Sequence, residues 1–156
     1  MMESFLAEIG QVIPSDRIYT DELRTLGWGT DASFYRQIPK AVIRSDGEEE
    51  ISKIVKACKK HKVPFTFRAA GTSLSGQSCT DSVLIVAGKH WEKYELVNSD
   101  EMLIKLQPGI VGARVNEILK PYGRVFPPDP ASIGSAMVGG IVINNASGMN
   151  CGVHAN

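Results

Sequence analysis

The chain is short of cysteine, of net charge and of long apolar runs. Its three cysteines, Cys58, Cys79 and Cys151, are widely spaced and odd in number. That argues against a disulfide framework and fits a reducing compartment. Lysine plus arginine equal aspartate plus glutamate, 17 against 17 in 156 residues, so the formal net charge is zero. Without a basic field there is no electrostatic footprint for nucleic acid, and no polybasic block suits anionic lipid. No stretch reaches the ~18 apolar residues that a membrane-spanning helix needs. The opening Met1-Met2-Glu3-Ser4 lacks the basic and apolar regions of a signal peptide. The expected location is the cytoplasm, with the inner face of the membrane as a peripheral site.

Several chemical signatures are missing as well. There is no CxxC or HxxxH pair, no Ser-His-Asp set and no pair of carboxylates placed for acid–base work. His61, His90 and His154 are scattered and read as surface residues, so no metal ligand and no catalytic residue is assigned. A GxxxxGK[ST] motif is absent, which excludes a P-loop ATPase. No GxGxxG lies between a strand and a helix, which excludes the Rossmann fingerprint.

What is present is a mixed α+β pattern. Residues 2–11 form a short amphipathic helix with Phe5, Leu6 and Ile9 on one face. Residues 12–40 are irregular, with a short helix at 21–26 and a lead-in loop at 27–36. After Pro39 comes a strand at 41–44, then a helix capped by Ser45 or Asp46. Glu48, Glu49 and Glu50 fill its first turn and Lys56, Lys59 and Lys60 its last, an order that complements the helix dipole. Ile51, Ile54, Val55 and Cys58 make its buried stripe. A strand at 63–67 completes a parallel β-α-β unit. Residues 82–87 read as a buried strand, 102–107 as another, and 111–122 as a helix stopped by Gly123. A last helix spans 135–144, capped by Ser132 or Ser135. The chain ends at 151–156 directly after a glycine-rich stretch, so the natural protein is expected to continue.

Two stretches carry the chemistry. The first is Arg68-Ala69-Ala70-Gly71-Thr72-Ser73-Leu74-Ser75-Gly76-Gln77, at the end of a strand. Small side chains let several backbone N–H groups converge on one anion, and ligands gather at strand ends in such units. A tight strand–strand connection would account for the same residues. The second runs from Gly134 to Gly148. It offers a helix N-terminus to an anion, and Gly139-Gly140 allow close approach of a ligand or of another backbone. Asn144, Asn145 and Ser147 can hydrogen-bond a polar ring edge, or serve as turn residues. Pro127-Pro128-Asp129 is a stiff segment, either a wall beside a flat ring or an ordinary loop. Arg36 and Arg114 could meet a carboxylate or phosphate, with solvated surface as the default. Together the two stretches suggest a dinucleotide, FAD.

The residues at 67–77, Gln107-Pro108-Gly109, Phe126-Pro127-Pro128-Asp129-Pro130, Gly139-Gly140 and Asn144-Asn145-Ala146-Ser147-Gly148 resemble the FAD-linked oxidase family. Its hallmark is the PCMH-type, vanillyl-alcohol-oxidase-like FAD-binding domain. Within the family the chain looks most like the bacterial D-lactate dehydrogenase and glycolate oxidase branch. Thr30-Asp31-Ala32-Ser33-Phe34-Tyr35-Arg36 followed by Pro39 resembles the large members, which carry a C-terminal iron–sulfur part. The resemblance covers residues 18 to the end.

It implies a two-lobed α+β domain at 38–156 behind a lead-in at 1–37, with the first lobe complete and the second partial. The FAD pyrophosphate would lie along residues 69–74. The implied cofactor contacts are Ala69, Ala70, Gly71, Thr72, Ser73, Leu74 and Gln77 in the first stretch. Pro128, Asp129, Gly139, Gly140, Asn144, Asn145, Ser147 and Gly148 follow. Some relatives link flavin to a histidine in the first loop. Thr72 stands there, which implies noncovalent FAD. The substrate would be a D-2-hydroxy acid and the electron acceptor something other than NAD, an iron–sulfur partner or a quinone. The catalytic base would lie beyond residue 156, and these 156 residues alone are expected to be inactive and to self-associate. Two rival readings remain open: a noncatalytic nucleotide-binding module, and an FAD enzyme on a non-acid substrate such as an alcohol or a UDP-sugar enol ether.

Overall fold

The computed structural model describes residues 1–87, 90–98, 103–149 and 151. Met102 and residues 152–156, which figure in the sequence reading, lie outside the described residues. The chain divides into two compact units. One is Met1–Arg68 with Ser73–Gly88, and the other is Ala69–Thr72 with Lys89–Asn156.

The first unit is a four-stranded sheet with helices. Its elements are α1 (Met2–Ile9), β1 (Ile18–Tyr19), α2 (Glu22–Gly27), β2 (Ala41–Ser45), α3 (Glu48–His61), β3 (Phe65–Arg68) and β4 (Val83–Ala87). The strand order is β1-β2-β4-β3. β2 and β3 are both parallel to β4, while β1 is antiparallel to β2. The expected β-α-β unit is therefore present and parallel, but β4 is inserted between its two strands. Residues 83–86 are buried on both faces of the sheet, as their continuous apolar run requires. Val83 and Ile85, with Ala41 and Ile43, pack against Phe5 and Ile9 of α1 and Ile54, Ala57 and Cys58 of α3. Val42, Leu84 and Val86 face the other way, towards Tyr19 and Trp28. Removing this much apolar surface from water is the main stabilising term.

The caps of α3 differ from the sequence reading. Gly47 is the N-cap and no side chain caps the helix. The Ser45 hydroxyl donates to the Val86 carbonyl instead, because a buried hydroxyl in a central strand needs a partner. The Asp46 amide donates to Glu50 at 2.9 Å. Glu50 also receives two hydrogen bonds from the Arg17 guanidinium, at 2.7 and 2.9 Å, and Arg17 meets Asp46 at 2.8 Å. Burial pushes the Glu50 carboxyl up, but these donors outweigh it and hold it below the ordinary glutamate range. A lowered folded-state value means stability present at neutral pH and lost as the pH falls through that value. Glu50→Gln should therefore cost about 1.5–3 kcal/mol at pH 7, the worth of a charge-assisted hydrogen bond. The cost should shrink in acid, below the ordinary glutamate range. Urea denaturation at pH 7 and pH 3 checks this, and an equal cost at both would refute it.

The second unit contains β5 (Tyr94–Asn98) and β6 (Leu103–Leu106), an antiparallel pair, with α4 (Gly112–Leu119) and α5 (Val138–Ile143). Ile110, Val115, Leu119 and Val138 form its core, with Ile104, Leu106 and Phe126 against them. α4 passes into a 3-10 turn, Lys120–Tyr122, and Gly123 ends it as expected. α5 is shorter than the expected 135–144, and neither Ser132 nor Ser135 caps it. Met137 pairs with Val111 in an antiparallel bridge, which holds it extended and delays the helix to Val138.

Candidate functional site

The first candidate stretch leaves β3 at Arg68 and reaches β4 without forming regular structure. Gly71 has φ 73°, in the left-handed region where a side chain is disfavoured. The amides of Ala69, Ala70, Gly71, Thr72, Ser73 and Leu74 donate to no group among the described residues. Residues 69–73 are half-buried and Leu74 is exposed. Backbone donors that are neither paired nor fully solvated call for an acceptor. Ser73 organises the turn that follows. Its hydroxyl donates to Gln77 Oε1 at 2.8 Å and accepts from the Ser75 amide at 3.1 Å. Gln77 is thus engaged inside the loop.

The second stretch is built differently from the reading that aimed a helix N-terminus at an anion. α5 has six residues, and its opening amides are committed. Val138 N–H donates to the Ile110 carbonyl at 2.8 Å and Gly139 N–H to the Pro108 carbonyl at 2.9 Å. A Cβ on Gly139 would come 2.7 Å from Pro108 Cβ, so that glycine serves the approach of another chain segment. Gly140 is otherwise: a Cβ there would meet nothing within 4 Å, and the residue is half-buried. Asn144 and Asn145 are exposed, and Asn145 adopts φ 48°.

The structure brings Pro128-Asp129 and Ser147-Gly148 together. The Asp129 amide donates to the Ser147 carbonyl, and Asp129 pairs with Gly148 in a parallel bridge. A Cβ on Gly148 would fall 1.7 Å from the Asp129 carbonyl oxygen, and φ there is 88°. Four candidates from two separate motifs thus share one backbone junction. Arg114 does not join them. Its guanidinium is bound to Glu117 at 2.6 Å on the exposed face of α4.

The sequence reading treated residues 27–36 as a lead-in and, beyond weighing Arg36 as an anion contact, assigned them no site role. In the structure this segment lies against both ends of the first loop. Arg68 Nη1 donates to the Thr30 carbonyl at 2.7 Å, and its guanidinium carbon lies 5.2 Å from the centre of the Trp28 ring. Ser78 donates to Asp31 at 3.0 Å. Tyr35 sits where a Cβ on Gly76 would fall, 2.7 Å from its Cδ2. Only the Asp31-x-Ser33 spacing, which suits a side-chain-to-backbone turn, hinted at this in the sequence.

Residues 39–156 match the family described as the FAD binding domain. The chain belongs to that family. Among curated relatives it is 31% identical over 116 residues to the glycolate oxidase subunit GlcD of Bacillus subtilis, covering 74% of this chain and 25% of that protein. It is 30% identical over 134 residues to the D-2-hydroxyglutarate dehydrogenase of Haemophilus influenzae, covering 84% of this chain and 13% of that one. The chain therefore spans a quarter or less of these two relatives. Among solved structures, alkyldihydroxyacetonephosphate synthase matches with a TM-score of 0.81 at 19% identity, over 95% of this chain and 30% of that one. The PCMH-type fold is that of the sequence reading, and FAD is the cofactor that goes with it. The half-buried amides at 69–73, unpaired among the described residues, and the positive φ of Gly71 fit a diphosphate approached by backbone. No helix among the described residues is long and apolar enough to cross a membrane.

Proposed function

We propose that this chain is the FAD-binding portion of a flavin-dependent D-2-hydroxy-acid dehydrogenase. The observation that carries the reading is the run of six consecutive loop amides, 69–74, with no acceptor among the described residues. They would hold the FAD pyrophosphate, with the Thr72 side chain beside it. Gly140, Asn144 and Asn145 would line the cofactor further along. Pro128 and Asp129, fixed by Ser147 and Gly148, would give it a rigid wall. Gly139 and Gly148 would support these contacts through packing. Residues 38–156 are then part of the FAD domain, and residues 1–37 precede it.

Held by these residues, FAD would supply the two-electron acceptor for oxidation of a hydroxy acid to the 2-oxo acid. The chain's own share is binding and orientation: amides that match the diphosphate charge, and small residues that exclude water from it. The names of the curated relatives support a hydroxy-acid substrate. An acceptor other than NAD fits a chain with no Rossmann fingerprint.

The test uses the full-length protein. It should purify yellow, and acid should release intact FAD into the supernatant, because Thr72 offers no nitrogen for a covalent link. Anaerobic addition of D-lactate, D-2-hydroxyglutarate or glycolate should bleach the flavin band. Flavin that stays on the precipitated chain would overturn the noncovalent reading. A flavin that none of the three acids reduces, yet dithionite does, would overturn the substrate class.

A further inference from the structure

We propose that the segment 28–36 is a strap that sets the conformation of the loop 68–79 for FAD, with Asp31 as its positioning residue. The inference rests on the reading of residues 69–74 as the FAD pyrophosphate loop. The strap precedes residue 39, where the family match begins.

Asp31 ties together three parts of the structure. Its Oδ1 accepts from the Ser33 amide at 2.8 Å and from the Ser33 hydroxyl, which folds the strap back on itself. Its Oδ2 accepts from the Ser78 hydroxyl at 3.0 Å, which anchors the exit of the loop; Ser78 is buried, so losing that partner would be costly. Its charge also acts on Arg68, at the loop's entry, through space. Burial pushes the Arg68 pKa down, and Asp31 opposes that shift. Arg68 is held by strap carbonyls through Nη1, while its Nε is buried and has no hydrogen-bond partner among the described residues. A half-buried cation with an unsatisfied nitrogen depends on the nearby carboxylate.

Two further contacts close the strap. The Tyr35 ring fills the space above Gly76, and the Tyr35 carbonyl lies 3.9 Å from Cys79 Sγ. The strap's own ends meet in a bridge between Thr30 and Arg36. The loop is therefore gripped at 68 and at 76–79, on either side of the amides that would face the diphosphate. Presetting those amides removes an ordering cost from binding.

The experiment compares wild type, Asp31→Ala and Asp31→Asn in the full-length protein. Two quantities are measured: hydrogen exchange across residues 73–80 in the apoprotein, and the Kd for FAD by fluorescence titration. The exchange readout does not involve the flavin. In Asp31→Ala, exchange at 73–80 should rise and FAD binding weaken, each by about tenfold, the loss of one charge-assisted hydrogen bond. Exchange in β4 should not change. Asp31→Asn keeps acceptor capacity but loses the charge, so it should fall between; it also carries the test if the alanine variant does not fold. Unchanged exchange at 73–80 would overturn the strap whatever FAD does. Faster exchange with unchanged FAD affinity would overturn it as a positioning device, provided that Gly71→Val still abolishes binding. If Gly71→Val leaves FAD bound as well, the loop assignment is what fails.

Discussion

Gly71→Val should leave the full-length protein almost free of FAD while its secondary structure persists. Gly71 has φ 73°, where a β-branched residue is a steric outlier. Valine would rotate the 70–72 peptides out of that conformation and redirect the amides that have no acceptor inside the described residues. It would also place two methyl groups among donors that need contact distance to an anion. Losing two or three charge-assisted hydrogen bonds weakens binding by about a thousandfold or more. The fold should tolerate the change, because Gly71 lies outside the three core clusters. The measurement is the flavin-to-protein absorbance ratio after gel filtration, with far-UV circular dichroism as the control. Wild-type FAD stoichiometry in a folded variant would remove the loop from the site.

How much of this was legible in the sequence follows from what each feature depends on. α3 was readable because its signals are local: acid first, base last, and an apolar stripe that yields buried Ile54 and Cys58. The buried strand at 83–86 was readable from its unbroken apolar run. The position of β4 between β2 and β3 was not, because parallel neighbours are chosen by long connections and carry no local mark. β5 was missed: residues 94–97 are all exposed, so they show no alternation to read. The start of α5 was set too early because Met137 belongs to a bridge with Val111, a partner 26 residues away (137 − 111).

Within the site, glycine-rich stretches were visible but the reasons for their glycines were not. Gly140 is open, whereas Gly139 is tight against Pro108 and Gly148 against Asp129. Sequence shows that a side chain is missing and cannot show whether ligand or chain takes its place. The strap was hidden for a related reason. Asp31, Tyr35 and Arg68 join through carbonyls, hydroxyls and one ring contact, none of which has a sequence period.

Gly148→Ala should be the most destabilising of the glycine-to-alanine changes in the second unit. A Cβ there would sit 1.7 Å from the Asp129 carbonyl oxygen and 2.4 Å from its carbon, far inside contact distance. Both obstacles are backbone, so no side-chain rotation relieves the clash. Asp129 cannot readily retreat, because Pro127, Pro128 and Pro130 flank it and each fixes its own φ. The chain at 147–148 would have to move instead, breaking the Asp129-to-Ser147 hydrogen bond and the bridge. Backbone strain together with a lost hydrogen bond should cost at least ~2 kcal/mol. Gly123→Ala is the internal comparison. It shares a positive φ, 65°, but a Cβ there meets nothing within 4 Å, so only the conformational cost of about 1 kcal/mol applies. Urea denaturation of both variants measures the difference, and limited proteolysis should find new cleavage between 124 and 149 only in Gly148→Ala. FAD retention should fall with it, since Pro128 and Asp129 lose the segment that fixes them. Equal stability losses in the two variants would mean that the Asp129–Gly148 junction is not formed in solution.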